Sequence, residues 1–345
     1  MIEKGQDHRV VGVVESFTAE DGSQQTRTNK VTELGNSMHY WDGQNWQESD
    51  PTLDIVDGEV LGVFTPHAFG VQANINVQGA VTLISPDNKI FTSTPLFLAL
   101  RSLKSGQTVL VGQLKNSQAE VVEGNQVVFR DAMEGLNCSL LYINRVDGME
   151  QNLVMHEPIN PEDYGFATGA DAGDDRDQVQ LELWTEFFDA PTSKAKVTSA
   201  DGQADVYLDF GATRIGTGKA FLLEGDSRQV PVAKRFGQVE GGDGRLFMVE
   251  IVQFESVRPL MDTLQGADIN DVGEKVKRMA RRHVGNNRDL LAQYGGKLPK
   301  EKLLAGTATY SDSPVGQGLV LDYQTVTAGT VGQPMVFRSD MTYSV

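Results

Sequence analysis

The chain has 345 residues, 39% apolar and 22% charged, enough for two core-bearing domains or one large two-lobed sandwich. Its 47 acidic residues against 30 basic ones give a net charge of −17, which repels phosphate backbones and anionic membranes and makes nucleic acid a poor partner. One cysteine, Cys138, excludes an internal disulfide and a Cys-based zinc site.

No stretch approaches the ~18 apolar residues of a membrane helix, so membrane insertion is not expected. The first residues, Met1 to His8, lack the apolar core of a signal peptide. Either the protein is not exported or a leader has been removed. The 36 glycines against 12 prolines point to many tight turns between short strands.

From Val10 to about Pro158 strand follows strand. Asp42-Gly43, between Tyr40-Trp41 and Trp46, is a tight-hairpin signal because both turn residues tolerate positive φ. Further breaks fall at Asp57-Gly58, Ser85–Asn88, Lys104–Gly106, Glu123–Asn125 and Asp147-Gly148. This spacing suits an antiparallel sandwich. Cys138, between Leu136 and Leu140, reads as a buried, inert thiol.

The chain turns polar and small between Asn160 and Gln178, as an exposed loop between two lobes does. Beyond it Val179, Leu181, Leu183, Thr185 and Phe187 alternate with Gln180, Glu182, Trp184 and Glu186, a half-buried strand. Ala204, Val206, Leu208 and Phe210 alternate with Asp205, Tyr207 and Asp209 in the same way. Leu246 to Phe254 is apolar on both faces apart from Glu250 and Gln253, which marks a central strand covered on two sides.

A helix is expected within Asp268 to Tyr294, where Ile269, Val272, Val276, Met279, Ala280 and Val284 recur at three- and four-residue steps and Gly285 offers a stop. Lys275, Lys277, Arg278, Arg281 and Arg282 in its later turns form either a solvated basic face or a docking face for an anionic partner. After Lys300 strand returns, at Gly318–Val326 and Met335–Arg338. The expected fold is mainly β: a first β-sandwich-like lobe over 1–158, a loop over 159–178, a second lobe over 179–262, a helical connector over 263–305 and final strands over 306–345.

Chemistry-bearing motifs are sparse. The segment Gly211–Ala220 fails as a phosphate loop, since Lys219 is followed by Ala220 where a magnesium-binding hydroxyl belongs; it reads as a turn between strands. Asp171, Asp174, Asp175 and Asp177 offer hard oxygen ligands from one loop, which suits Ca2+, though their spacing fits no EF-hand and a solvated acidic loop is the alternative. No other cofactor is expected. The histidines His8, His39, His67, His156 and His283 are scattered, no Gly-x-Ser-x-Gly elbow occurs, and no catalytic residue is assigned. Tyr40, Trp41, Trp46 and Trp184 offer flat faces for stacking on sugar rings or for cross-strand packing.

The segments Val127–Leu140 and Gly148–Met155 together resemble a strand pair in the N-terminal β-rich region of large secreted RHS-repeat-type proteins and related planctomycete and verrucomicrobial surface proteins, with Asn137 where an acidic residue is usual. Trp41–Trp46 resembles an early hairpin of those regions, and Leu183–Pro191, Leu208–Gly211 and Gly318–Tyr323 resemble later segments. The resemblance implies an extracellular or cell-surface setting and brings no active site. In many such proteins a β-helix or repeat region follows, so the chain is expected to be a short stand-alone relative or a fragment.

These readings converge on a non-catalytic extracellular or cell-surface structural module. Its partners would be further copies of itself in an oligomer or filament, or other surface proteins. Val336, Phe337 and Tyr343 in the last strand, or the Val10–Glu33 region, would add to a neighbouring sheet edge. A carbohydrate-binding module and a carbohydrate-active enzyme are the alternatives, with a polysaccharide as ligand.

Overall fold

A computed structural model describes residues 1–168, 178–200, 203–223, 228–239, 244–264, 284–285, 307–327 and 336–337. It is mainly β, as the turn spacing requires. The first strands form a separate ribbon: β1 (Glu3–Gly5), β2 (His8–Thr18) and β3 (Gln24–Leu34). A small hairpin follows, β4 (His39–Trp41) and β5 (Trp46–Glu48), turning through the four residues Asp42–Asn45 rather than through Asp42-Gly43 alone. There the Asp42 carboxylate accepts the backbone N–H groups of Gln44 and Asn45, both at 2.7 Å, and Gly43 takes a φ of +99°.

The body begins with a meander, β6 (Asp54–Val56), β7 (Glu59–Gly62), β8 (Ala68–Val71), β9 (Val81–Ile84) and β10 (Ile90–Ser102). Then come β11 (Thr108–Leu114), β12 (Ala119–Val122), β13 (Gln126–Phe129), β14 (Met133–Glu134), β15 (Cys138–Arg145) and β16 (Gly148–Met155). The β6–β7 and β12–β13 hairpins turn at Asp57-Gly58 and Glu123-Gly124, all four residues at positive φ, as two-residue hairpins demand. A 3-10 turn over Pro161–Tyr164 buries Pro161 and Tyr164.

The later strands are β17 (Val179–Asp189), β18 (Lys194–Ala200), β19 (Gln203–Asp209), β20 (Thr213–Ile215), β21 (Gly218–Leu222), β22 (Val230–Gln238) and β23 (Leu246–Gln253). Helix α1 (Phe254–Met261) follows directly, burying Phe254, Val257, Leu260 and Met261. The chain closes through β24 (Val284–Gly285), β25 (Thr309–Tyr310), β26 (Leu319–Thr327) and β27 (Val336–Phe337). Most of the expected helix within Asp268–Tyr294 lies outside the described residues; its expected last residue Val284 and stop Gly285 instead pair with Val109 and Thr108 of β11.

Two sheets share the body. The first runs β6-β7-β8-β9-β10-β17-β23-β22, with β11 taking over from β9 along β10. The second runs β12-β13-β15-β16-β26, and the far edge of β26 is divided between β21 and β20. Strand β22 belongs to both: Val230–Val232 pair with β21, and Ala233–Gln238 with β23. The expected division into lobes at 159–178 is therefore not a division of the sheets. Hydrogen bonding carries β10 onto β17 and β16 onto β26, across that boundary.

The main core fills the space between the sheets, with Leu98, Leu100, Phe129, Leu140, Leu153, Leu181, Leu183 and Met248 among its members. A second apolar cluster lies on the outward face of the first sheet, built from Phe97, Ala99, Trp184, Phe247, Val249 and Ile251. Strand β17 is thus buried on both faces rather than half-buried. Strand β23, with β17 on one side and β22 on the other, is the central strand that its sequence predicts.

Candidate functional site

Alternation along β22 and β23 sends every second side chain between the sheets. On β22 that face carries Val232 and then Lys234; on β23 it carries Met248, Glu250 and Val252. Lys234 and Glu250 are register partners, so a base and an acid meet inside the core. A third charge enters from β19. The ammonium of Lys234 lies 3.0 Å from Oδ1 and 3.2 Å from Oδ2 of Asp205, with side-chain exposures of 1% and 0%.

The surroundings hold this group tightly. Asp205 Oδ1 also accepts the backbone N–H groups of Lys234 and Val206, each at 2.7 Å. Neither carboxylate oxygen of Glu250 completes a hydrogen bond. Burial, reinforced by Asp322, pushes its carboxyl up to about 8, while Lys234 and the nearby Gln151 amide act in the opposite sense. Gln151 continues the network: it accepts from Tyr142 Oη at 3.1 Å and donates to Thr185 Oγ1 at 3.3 Å, tying the two sheets together. A buried charge without full pairing costs several kcal/mol or forces neutralisation, so such groups mark function or chemistry.

Asp205 corrects the sequence reading, which puts it on the outward face with Tyr207 and Asp209; it is wholly buried against Lys234. The signal for Glu250 is visible in the sequence as a single carboxylate within a strand apolar on both faces. Lys234 carries a similar one, an ammonium placed between Val232 and Phe236 at inward spacing.

Two other arrangements carry chemical groups. Ser139 Oγ lies 2.9 Å from His156 Nε2, and His156 Nδ1 lies 2.8 Å from the carbonyl oxygen of Gln317. A carbonyl accepts only, so Nδ1 donates and Nε2 accepts the serine hydroxyl, the layout of a nucleophile and base. Ser139 is 3% exposed and leaves a substrate carbonyl no approach; the pair pins the segment before β26 to the outer face of the second sheet. A cleft of about 460 Å³ is lined by Gln78, Glu186, Phe188, Asp189 and Arg245. Its two carboxylates do not act as a pair, because Arg245 holds Glu186 through two 2.5 Å hydrogen bonds.

The four aromatic residues expected to share a surface are divided. Trp41 is 54% exposed and meets Trp46 edge to face at 5.4 Å across the β4–β5 hairpin, and Tyr40 packs on Phe64 beside them. Trp184 is instead buried in the outward cluster of the first sheet, between Phe97 and Phe247, and donates its Nε1 hydrogen to Glu182 at 3.0 Å. Desolvation holds the Glu182 carboxyl above its usual range, with Arg101 at 3.6 Å the main opposing charge.

Cys138 is fully buried and burial pushes its thiol far up, which suits an inert side chain. Asp171, Asp174, Asp175 and Asp177 lie outside the described residues, as do Lys275, Lys277, Arg278, Arg281, Arg282 and Tyr343. Among the described residues no group of three or more His, Cys, Asp or Glu side chains is placed to hold a metal ion, and no helix is long and apolar enough to cross a membrane.

Val336 and Phe337 pair antiparallel with Glu33 and Thr32 of β3. The two regions expected to seek a neighbouring sheet edge thus meet each other within one chain. No family model, curated protein or solved structure matches this chain.

Proposed function

We propose that the chain is a non-catalytic extracellular or cell-surface structural module that associates with further copies of itself by strand addition at the β2–β3 ribbon. The carrying observation is that neither eleven-residue strand of this ribbon has a single buried residue. The short β1 and β27 pair with only part of it, and over the rest of its length the ribbon is two-stranded, which is marginal in water unless something packs or pairs with it. Val13, Val14 and Phe17 nevertheless stand exposed on it.

The occupant is the last strand of a second copy. Among the described residues of one chain, β27 covers Glu33 and Thr32 and no other strand pairs with that edge of β3. The same backbone pairing made between chains satisfies the same hydrogen bonds, while alternate side chains set the register. The resemblance to secreted surface proteins agrees with this setting.

Sedimentation velocity over a range of concentrations tests the reading. The full chain should form larger species as concentration rises, and deleting Pro334 to Val345 should abolish them. A full chain that stays monomeric throughout, or a deletion that assembles equally well, overturns it.

A second reading, carbohydrate binding, is favoured by one observation, the exposed Trp41–Trp46 pair. Retention on polysaccharide affinity gels that disappears in Trp41→Ala supports it; a chain retained on none counts against it.

A further inference from the structure

We infer that Lys234 and Asp205 become joined by an amide bond between Nζ and Cγ, formed within the folded chain itself. This inference goes beyond the assembly reading and does not rest on it.

Proximity comes first. The two side chains are held in the core with Nζ 3.0 and 3.2 Å from the carboxylate oxygens, so amine and carboxyl are already paired with no chain entropy left to lose. The oxygens are not equivalent. Oδ1 receives two backbone N–H groups, from Lys234 and Val206, both at 2.7 Å. Two fixed donors aimed at one oxygen are what a tetrahedral intermediate needs for its developing negative charge. Oδ2 has Nζ alone among the described residues, and so is the oxygen free to leave.

Glu250, the register partner of Lys234, is also buried, at 2% exposure, and neither of its oxygens completes a hydrogen bond. Burial holds its carboxyl above the usual carboxylate range, which leaves Asp205 as the counter-charge that faces the ammonium.

The step balances without any outside reagent. Transfer of one proton from the ammonium to Oδ2 gives a neutral amine facing a neutral carboxylic acid. Nζ attacks Cγ, and the C–N bond forms as charge builds on Oδ1. The proton lost by the attacking nitrogen passes to the Oδ2 hydroxyl beside it. The Cγ–Oδ2 bond breaks, and the products are one amide and one water. Two opposite charges in a dry interior become a neutral amide, which removes their desolvation cost.

Intact-mass spectrometry of the purified full chain tests this. The expected mass is lower than that of the unmodified sequence by one water, and trypsin should leave Lys234 uncut within a peptide joined to the one containing Asp205. The conservative Lys234→Arg variant, which keeps a cation but has no amine to acylate, should keep the β circular-dichroism spectrum yet show the full mass of its own sequence. A wild-type chain of unmodified mass whose Lys234 is cleaved by trypsin overturns the inference and leaves an ion pair only. This wild-type result decides the matter even where a variant fails to fold.

Discussion

Lys234 on β22 faces Glu250 on the adjacent strand β23, and the ammonium of that lysine reaches across to Asp205 on β19. Three ionisable groups from three strands thus occupy a place where the rest of the core is aliphatic and aromatic. Removing the lysine strands the buried Asp205 carboxylate without its counter-charge. Lys234→Ala should therefore lower unfolding stability by at least about 3–5 kcal/mol. Urea denaturation with an unchanged midpoint would show that the cluster contributes nothing to the fold.

Glu250 makes the stability depend on pH in a defined direction. Its carboxyl is raised from 4.5 to about 8 in the folded chain, by burial and then by Asp322, against Lys234 and Gln151. The folded state therefore holds a proton that the unfolded chain loses. The associated stability is fully present below about pH 4.5 and is lost as pH rises through the folded value near 8, by up to roughly 5 kcal/mol. Thermal melts at a series of pH values should show a downward slope across this window, and Glu250→Gln should flatten it. Equal slopes in both proteins would refute the assignment.

The two environments of tryptophan separate stability from surface role. Trp184 is 2% exposed between two phenylalanine rings, so Trp184→Ala should cost about 3–5 kcal/mol. Trp41 is 54% exposed, and Trp41→Ala should cost under about 1 kcal/mol. Chemical denaturation of the two variants side by side checks the contrast; a larger loss at Trp41 would be inconsistent with this packing.

Gly124 sits at φ +78° in the β12–β13 hairpin, next to Glu123 at +51°. Gly124→Ala forces a Cβ into the left-handed region and should cost about 1–2 kcal/mol. Gly216 has no such φ and open space around it, so Gly216→Ala serves as the control and should change little. Similar midpoints for the two variants would remove backbone strain as the explanation.

The turns were the most legible part of the sequence, because Asp42-Gly43, Asp57-Gly58 and Glu123-Gly124 act through their own backbone preferences. The central position of β23 was legible as well, since a strand apolar on both faces has few other places to go. Partner choice was not. Nothing local in Ile90–Ser102 says that it pairs with Val179–Asp189, and the polar alternates of β17 concealed an outward cluster with Phe97 and Phe247. The Asp205, Lys234 and Glu250 group was legible only as exceptions. A carboxylate or an ammonium on an apolar face is visible in one strand, but its counter-charge comes from another part of the chain.

The pairing of β16 with β26 brings Gly148–Met155 against Leu319–Thr327 along eight rungs. Every residue of β16 is buried in the finished molecule. During synthesis, however, this strand leaves the ribosome long before its partner exists. For that interval it presents one apolar edge with open amide and carbonyl groups, the surface most prone to false pairing. The second sheet can close only late, by a long-range contact of the kind that makes folding slow. Productive folding of this chain is accordingly a race between the arrival of β26 and aggregation through β16, and a chaperone that shields Gly148–Met155 should raise its yield more than one acting on the early ribbon.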